Sequence, residues 1–108
     1  MNRGDIYLVR KPGSNDPRKR RAFVVVSRQV LIDSSFSKIV CAPIYSSRSG
    51  LSTQVNLGPE VGLKHESAVF CDELVSLERS RLSNFVGAVP PARFDELDHA
   101  LAIALGLR

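Results

Sequence analysis

The stretch AFVVVS, residues 22–27, runs apolar for five positions with little alternation, so a strand built from it has to be covered on both faces. KIVCAPI, residues 38–44, has the same character, and the two runs are the expected central strands. Outward from them, IYLV at 6–9 puts Ile6 and Leu8 on one face and Tyr7 and Val9 on the other. Thr53 to Leu57 alternates and stops at Gly58-Pro59; Ser67 to Leu74 and Phe85 to Val89 are further strand candidates. Helix comes late. Phe94, Leu97, Leu101 and Leu105 recur at helical spacing against Asp95, Glu96, Asp98 and His99, with Pro90-Pro91 ahead and Gly106 behind. The pattern predicts a mainly β fold, short antiparallel strands curled into a barrel or roll with a C-terminal helix packed on it, and leaves the strand order open. A chain of 108 residues is too short for two cores, so a single domain over residues 1–108 is expected.

Hydrophobic residues make up 44% and charged residues 24%, which suits a packed core and not disorder. No apolar run approaches the roughly 18 to 20 residues that cross a bilayer, and the start MNRGD lacks a signal peptide's apolar stretch, so a cytoplasmic, membrane-free protein is expected. Cys41 and Cys71 each sit inside an apolar run without metal or redox spacing, which reads as buried, reduced thiols. The formal charge is +4, and residues 1–21 hold seven Lys/Arg against two acids while the remainder holds eight against nine. Most of that excess falls in KPGSNDPRKRR, residues 11–21, whose prolines, glycine and mutually repelling bases predict a long, mobile, positive loop. Such a local field attracts a polyanion; a merely solvated basic loop is the competing reading.

Nucleophile motifs are missing: there is no G-x-S-x-G elbow beside a histidine, no phosphate-cradling glycine loop and no coherent metal-ligand cluster, so neither metal nor cofactor is expected. His65 and His99 are the only histidines; His99 belongs to the polar face of the helix, and both read as residues without catalytic duty. Taken in order, RGDIYLV at 3–9, RAFVVVS at 21–27, IVCAPIYSS at 39–47, GLKHESAVFCDELVSL at 62–77, RL at 81–82, VGAV at 86–89 and the terminal FDELDHALAIALGL resemble the MazF/PemK family of toxin endoribonucleases. The resemblance implies an SH3-like barrel of the CcdB/PemK type, a homodimer, metal-independent cleavage of single-stranded RNA such as mRNA, and neutralisation by a cognate MazE-like antitoxin.

Residue by residue, the resemblance makes Arg21 the catalytic arginine opening the second strand, with Ala22 where the family usually has proline. Tyr45 falls where a catalytic threonine is common, and Ser46 on the next position. Asp72 matches an aspartate used in some members, Phe70 stands where plasmid-type relatives carry an arginine, and Asn15 and Asp16 lie near a loop glutamate.

Chemically, Arg21 suits charge stabilisation on a phosphate, because its planar fork donates two hydrogen bonds and keeps its charge. Ser46 can donate to the same oxygens, and Tyr45 can either stack on a base or supply its own hydroxyl. Asp16 and Asp72 are both open as the base. Arg18, Lys19 and Arg20 are expected on phosphates, with Asn15, Asp16 and Ser47 beside them at the RNA. Two other readings stand: a non-catalytic nucleic-acid-binding barrel, and a CcdB-like toxin directed at a protein.

Overall fold

Both faces of the AFVVVS strand are covered, as its unbroken apolar run requires. In the computed structural model, which describes residues 1–11 and 13–108, the chain forms β1 (Asp5–Arg10), β2 (Arg20–Val25), a short helix α1 (Gln29–Ile32), β3 (Lys38–Tyr45), β4 (Gln54–Leu57), β5 (Ser67–Phe70), β6 (Val75–Glu78), β7 (Asn84–Ala88) and the helix α2 (Phe94–Ala104). Every pairing is antiparallel, in the order β4-β5-β3-β2-β1-β7, with β6 also on β3. The result is a mainly β half-barrel closed by a C-terminal helix, as expected.

Side-chain alternation divides the interior into two layers. Ile6, Val24, Ala42 and Val69 face Leu97, Ala100 and Leu101 of α2. Tyr7, Phe23, Val25, Ile39 and Cys41 face the other way, under Ile32 and Leu82. The two cysteines belong to opposite layers and are free thiols, which burial pushes up to about 12 for Cys41 and about 11 for Cys71. Arg3 fastens the N-terminus to α2 through Asp98 at 2.7 Å.

Four expectations need correction. Composition put Arg20 and Arg21 in the loop, but both open β2, paired with Arg10 and Val9, as the family resemblance implied for Arg21; Pro12 of that segment lies outside the described residues. The Ser67–Leu74 run breaks at Cys71 into a short 3-10 turn, Cys71–Glu73, where the Cys71 amide donates to the Thr53 carbonyl instead of continuing a ladder. Helix α1 and strand β6 were not anticipated. Leu105 is not on the buried stripe: α2 ends at Ala104, and the Gly106 and Leu107 amides fold back onto the Ile103 and Ala102 carbonyls in a Schellman arrangement. Leu105 is left 58% exposed.

Glycine is required where the turn Pro59–Val61 crosses β7. A Cβ on Gly87 would lie 1.7 Å from the Val61 carbonyl oxygen, with backbone on both sides of the clash. Gly106, by contrast, has φ +72 but open space around a hypothetical Cβ. Gly87→Ala should therefore cost about 3 kcal/mol as the turn is forced off the sheet, and Gly106→Ala only ~1 kcal/mol of left-handed backbone strain. Urea unfolding midpoints of the two variants check this; equal losses would refute the close approach.

Candidate active site

One residue beyond the β2–β3 pair Ala22 and Ile44, the ends of the two strands bring Arg21 and Tyr45 face to face. They point away from the α2 layer, on the side of Phe23 and Val25. The Arg21 guanidinium carbon stands 4.2 Å from the centre of the Tyr45 ring, a cation–π contact that holds the cation without neutralising it. Arg21 forms no ion pair among the described residues. Phe70, at the end of β5, meets the Tyr45 ring edge-on at 4.6 Å between centroids. The Tyr45 hydroxyl donates to the Glu73 carboxylate at 2.8 Å.

This cluster joins only some of the residues singled out in the sequence. Arg21 and Tyr45 are together; Ser46 and Ser47 follow directly on the exposed segment after β3. Asp72 is turned elsewhere, accepting a 2.6 Å hydrogen bond from the Thr53 hydroxyl. Asp16 is folded onto its own loop, where the Arg18 amide donates to it at 2.9 Å and the Arg18 side chain at 3.2 Å. Those bonds hold the Asp16 carboxyl below its ordinary range, the backbone bond first, and so weaken it as a base. The loop is organised: the Lys11 amide donates to the Lys19 carbonyl, and the Lys19 amide to the Asp16 carbonyl. Asn15, Arg18 and Lys19 are exposed along it, and Arg20 is exposed where β2 begins.

Glu73 was missed. Its only signal in the sequence is the acidic pair in FCDEL, and which of the two acids faces Tyr45 depends on where β5 breaks. The expected strand through Leu74 hid that break. His65 and His99 are apart from the cluster, His99 lying 3.0 Å from the Arg108 guanidinium. Among the described residues, no three His, Cys, Asp or Glu side chains converge on a point, and no helix is long and apolar enough to cross a membrane.

Residues 2–105 match the family of PemK-like, MazF-like toxins of type II toxin–antitoxin systems. Among solved structures, the chain is similar to the Mycobacterium tuberculosis toxin MazF-mt6, with 23% identity, coverage of 96% of this chain and 98% of that one, and a TM-score of 0.82. It is also similar to a mycobacterial endoribonuclease in complex with its cognate antitoxin, with 25% identity, coverage of 100% and 97%, and a TM-score of 0.85. A third is a MazE–MazF structure from Deinococcus radiodurans, with 22% identity, coverage of 97% and 93%, and a TM-score of 0.73.

The hydrogen bond at the centre of the cluster has a measurable consequence. The Tyr45 phenol is held above its ordinary range, first by burial and then by the bond to Glu73 and that residue's charge, while the Arg21 charge acts the other way. Glu73→Gln should lower the midpoint of the Tyr45 ionisation in an ultraviolet absorbance titration, with Tyr45→Phe identifying which step is Tyr45. A phenol raised in the folded state stabilises the fold below the unfolded-chain value of about 10 and loses that contribution as pH rises through the folded midpoint. The Gln variant should therefore lose stability less steeply above pH ~10. An unchanged titration would mean that the bond is not formed in solution.

Proposed function

The chain belongs to the PemK-like, MazF-like toxins of type II toxin–antitoxin systems, and from that premise we propose that it is a metal-independent, sequence-specific endoribonuclease, acting in the cytoplasm on single-stranded RNA such as mRNA. The observation that carries this reading is the uncompensated Arg21 guanidinium seated on the Tyr45 ring beside a positive loop. A metal is unnecessary because the nucleophile is the substrate's own 2′-OH, already tethered beside the phosphorus. Its oxygen attacks phosphorus, the bond to the 5′ oxygen breaks, and that oxygen leaves with a proton from solvent, giving a cyclic phosphate and a 5′-OH end.

In this reading Arg21 donates to the phosphate oxygens that gain charge in the transition state. Ser46, which follows Tyr45 on the exposed segment after β3, adds a hydroxyl donor. Glu73 takes the 2′-OH proton, because it is the carboxylate located at the Arg21–Tyr45 pair, whereas Asp72 is turned to Thr53 and Asp16 to Arg18, outside that cluster. Tyr45 orients both partners: its ring carries the arginine and its hydroxyl the glutamate. Arg18, Lys19 and Arg20, with Asn15 and Ser47, receive the RNA backbone. The chain works as one domain over residues 1–108 and as a homodimer. A MazE-like antitoxin neutralises it, a partner supported by the complexes formed by its structural relatives.

Cleavage of a long mixed-sequence RNA, with the new ends sequenced, tests the proposal. Cutting should persist in EDTA and leave 5′-OH ends; loss in EDTA restored by magnesium would sink the mechanism, and RNA retained without cutting would favour a binding module. Arg21→Ala should lose roughly a hundredfold in rate, on the order of 3 kcal/mol. Arg21→Lys should fare little better, since an ammonium lacks the two-pronged geometry and the flat face that sits on Tyr45. Glu73→Gln should fall by about a hundredfold as a lost general base. A Gln variant of full activity would remove Glu73 from that role.

A further inference from the structure

On the side of β2 opposite Arg21, a cavity of about 350 Å³ opens at the mouth of the half-barrel. Its apolar wall is made by Leu8, Ala22, Ile44 and Val86, one from each of four strands, closed over by Leu63. Arg18, Arg20, Lys64 and His65 stand around it, and none of its lining residues is acidic. A second cavity of about 410 Å³ adjoins it, sharing Leu8 and Arg20 and adding Arg10, Arg81, Ser83 and Asn84, again without an acid. The Arg81 side chain is fixed there by donating to the Arg10 carbonyl at 3.0 Å.

We propose that the first cavity is a specificity subsite for the nucleobase flanking the cut, with Arg20 on that nucleotide's phosphate and the second cavity carrying the next stretch of backbone. The inference rests on the ribonuclease reading above. Its geometry comes from β2: consecutive side chains of a strand point to opposite faces, and consecutive Cα atoms are about 3.8 Å apart. Arg20 and Arg21 thus offer two cations from adjacent residues, one on either side of the strand end. The volume lies in the range of pockets that take a small flat ligand, roughly 300 to 1,000 Å³. Aliphatic walls hold a base by contact, and the His65 ring and the Lys64 ammonium supply polar atoms that choose among bases, while the buried Ser67 hydroxyl donates to the His65 carbonyl at 2.9 Å. A single buried apolar side chain of a peptide would account for the first cavity but not for a positive surface that continues through a second one. A chain with one negative charge per unit accounts for both.

The test is done on a randomised RNA pool, read in two ways: the sequences around the cut ends, and the sequences retained by the protein at equilibrium. Ala22→Leu fills the cavity; because that position is nearly buried, the exposed pair Lys64→Ala/His65→Ala serves as a second variant that does not touch the core. The expected result is that discrimination at one position flanking the cut falls about tenfold in both variants, while the preference at other positions remains. If the wild type cuts and both variants keep its full preference, the subsite is wrong and the ribonuclease reading stands. If the wild type neither cuts nor retains RNA, the ribonuclease reading fails and takes the subsite with it. A synthetic peptide of alternating glutamate and leucine is the control: loss of its binding in the variants, with RNA preference intact, would assign the cavity to a protein partner and overturn the proposal.

Discussion

Strand β3 has to satisfy three partners, and it does so by dividing its backbone between two edges. The Val40 carbonyl accepts from the Val26 and Ser27 amides, and its own amide donates to the Ser27 hydroxyl, so the even-numbered residues of β3 turn their amides toward β2. The odd-numbered ones face the other edge. There β6 pairs as far as Cys41 and β5 begins at Ile44, leaving a gap between them. Pro43, which has no amide hydrogen, occupies an odd position in that gap, where no ladder donor is needed. The hand-over from β5 to β6 forces the chain through the turn Cys71–Glu73, and that turn is what delivers Glu73 to Tyr45. The same register that gives the sheet two buried faces therefore also assembles the site.

This explains which parts of the fold were readable from residues alone. Runs such as AFVVVS and KIVCAPI announce themselves because burial on both faces needs consecutive apolar residues, and α2 because one buried stripe needs a helical period. Strand β6, VSLE, carries a single buried side chain, Leu77, and offers no pattern to detect. Helix α1 has only four residues, less than any period can show; it is held by tertiary bonds, with Gln29 accepting from the Arg3 amide at 2.8 Å and donating to the Met1 carbonyl at 3.2 Å. Strand ends failed in both directions for one reason. By composition Arg20 and Arg21 belonged to the loop because they are charged, yet β1 pairs with them, and only the family pattern marked Arg21 as a strand start; Cys71 looked like strand because it is apolar, yet its amide finds Thr53 instead of a ladder partner.

The site was legible where it depends on one residue and opaque where it depends on two segments meeting. Arg21 and Tyr45 were identifiable, the first as a match to the family pattern and the second as a departure from it. Phe70 was a second departure, read separately. The structure puts the two departures in contact, ring against ring, so they form one altered surface. Glu73 belongs to that surface through a hydrogen bond spanning 28 residues of sequence, and a pairing of that kind is set by register, which composition and spacing do not encode.

A physical reason connects the tyrosine with the glutamate. A guanidinium that must stabilise a phosphate has to be held in place while keeping its charge. A carboxylate in direct contact would hold it firmly but cancel the field that the phosphate needs. An aromatic face holds it through the ring quadrupole, at about 0.5 to 1 kcal/mol where water reaches and more where it does not, and leaves the charge available. The ring itself must then be fixed. Phe70 supports it on one side, and the Tyr45 hydroxyl is anchored to Glu73, which keeps the negative charge one ring's length from the arginine. The arrangement separates a cation from an anion, the proposed phosphate stabiliser from the proposed proton acceptor, with a neutral spacer whose two ends bind one each. A threonine at position 45 could offer a hydroxyl to the substrate but could not span the two. The departure from the family pattern at Tyr45 thus gives the hydroxyl at this position a glutamate as its partner, and under the proposed reaction the phosphate-facing hydroxyl falls to Ser46, the next residue along.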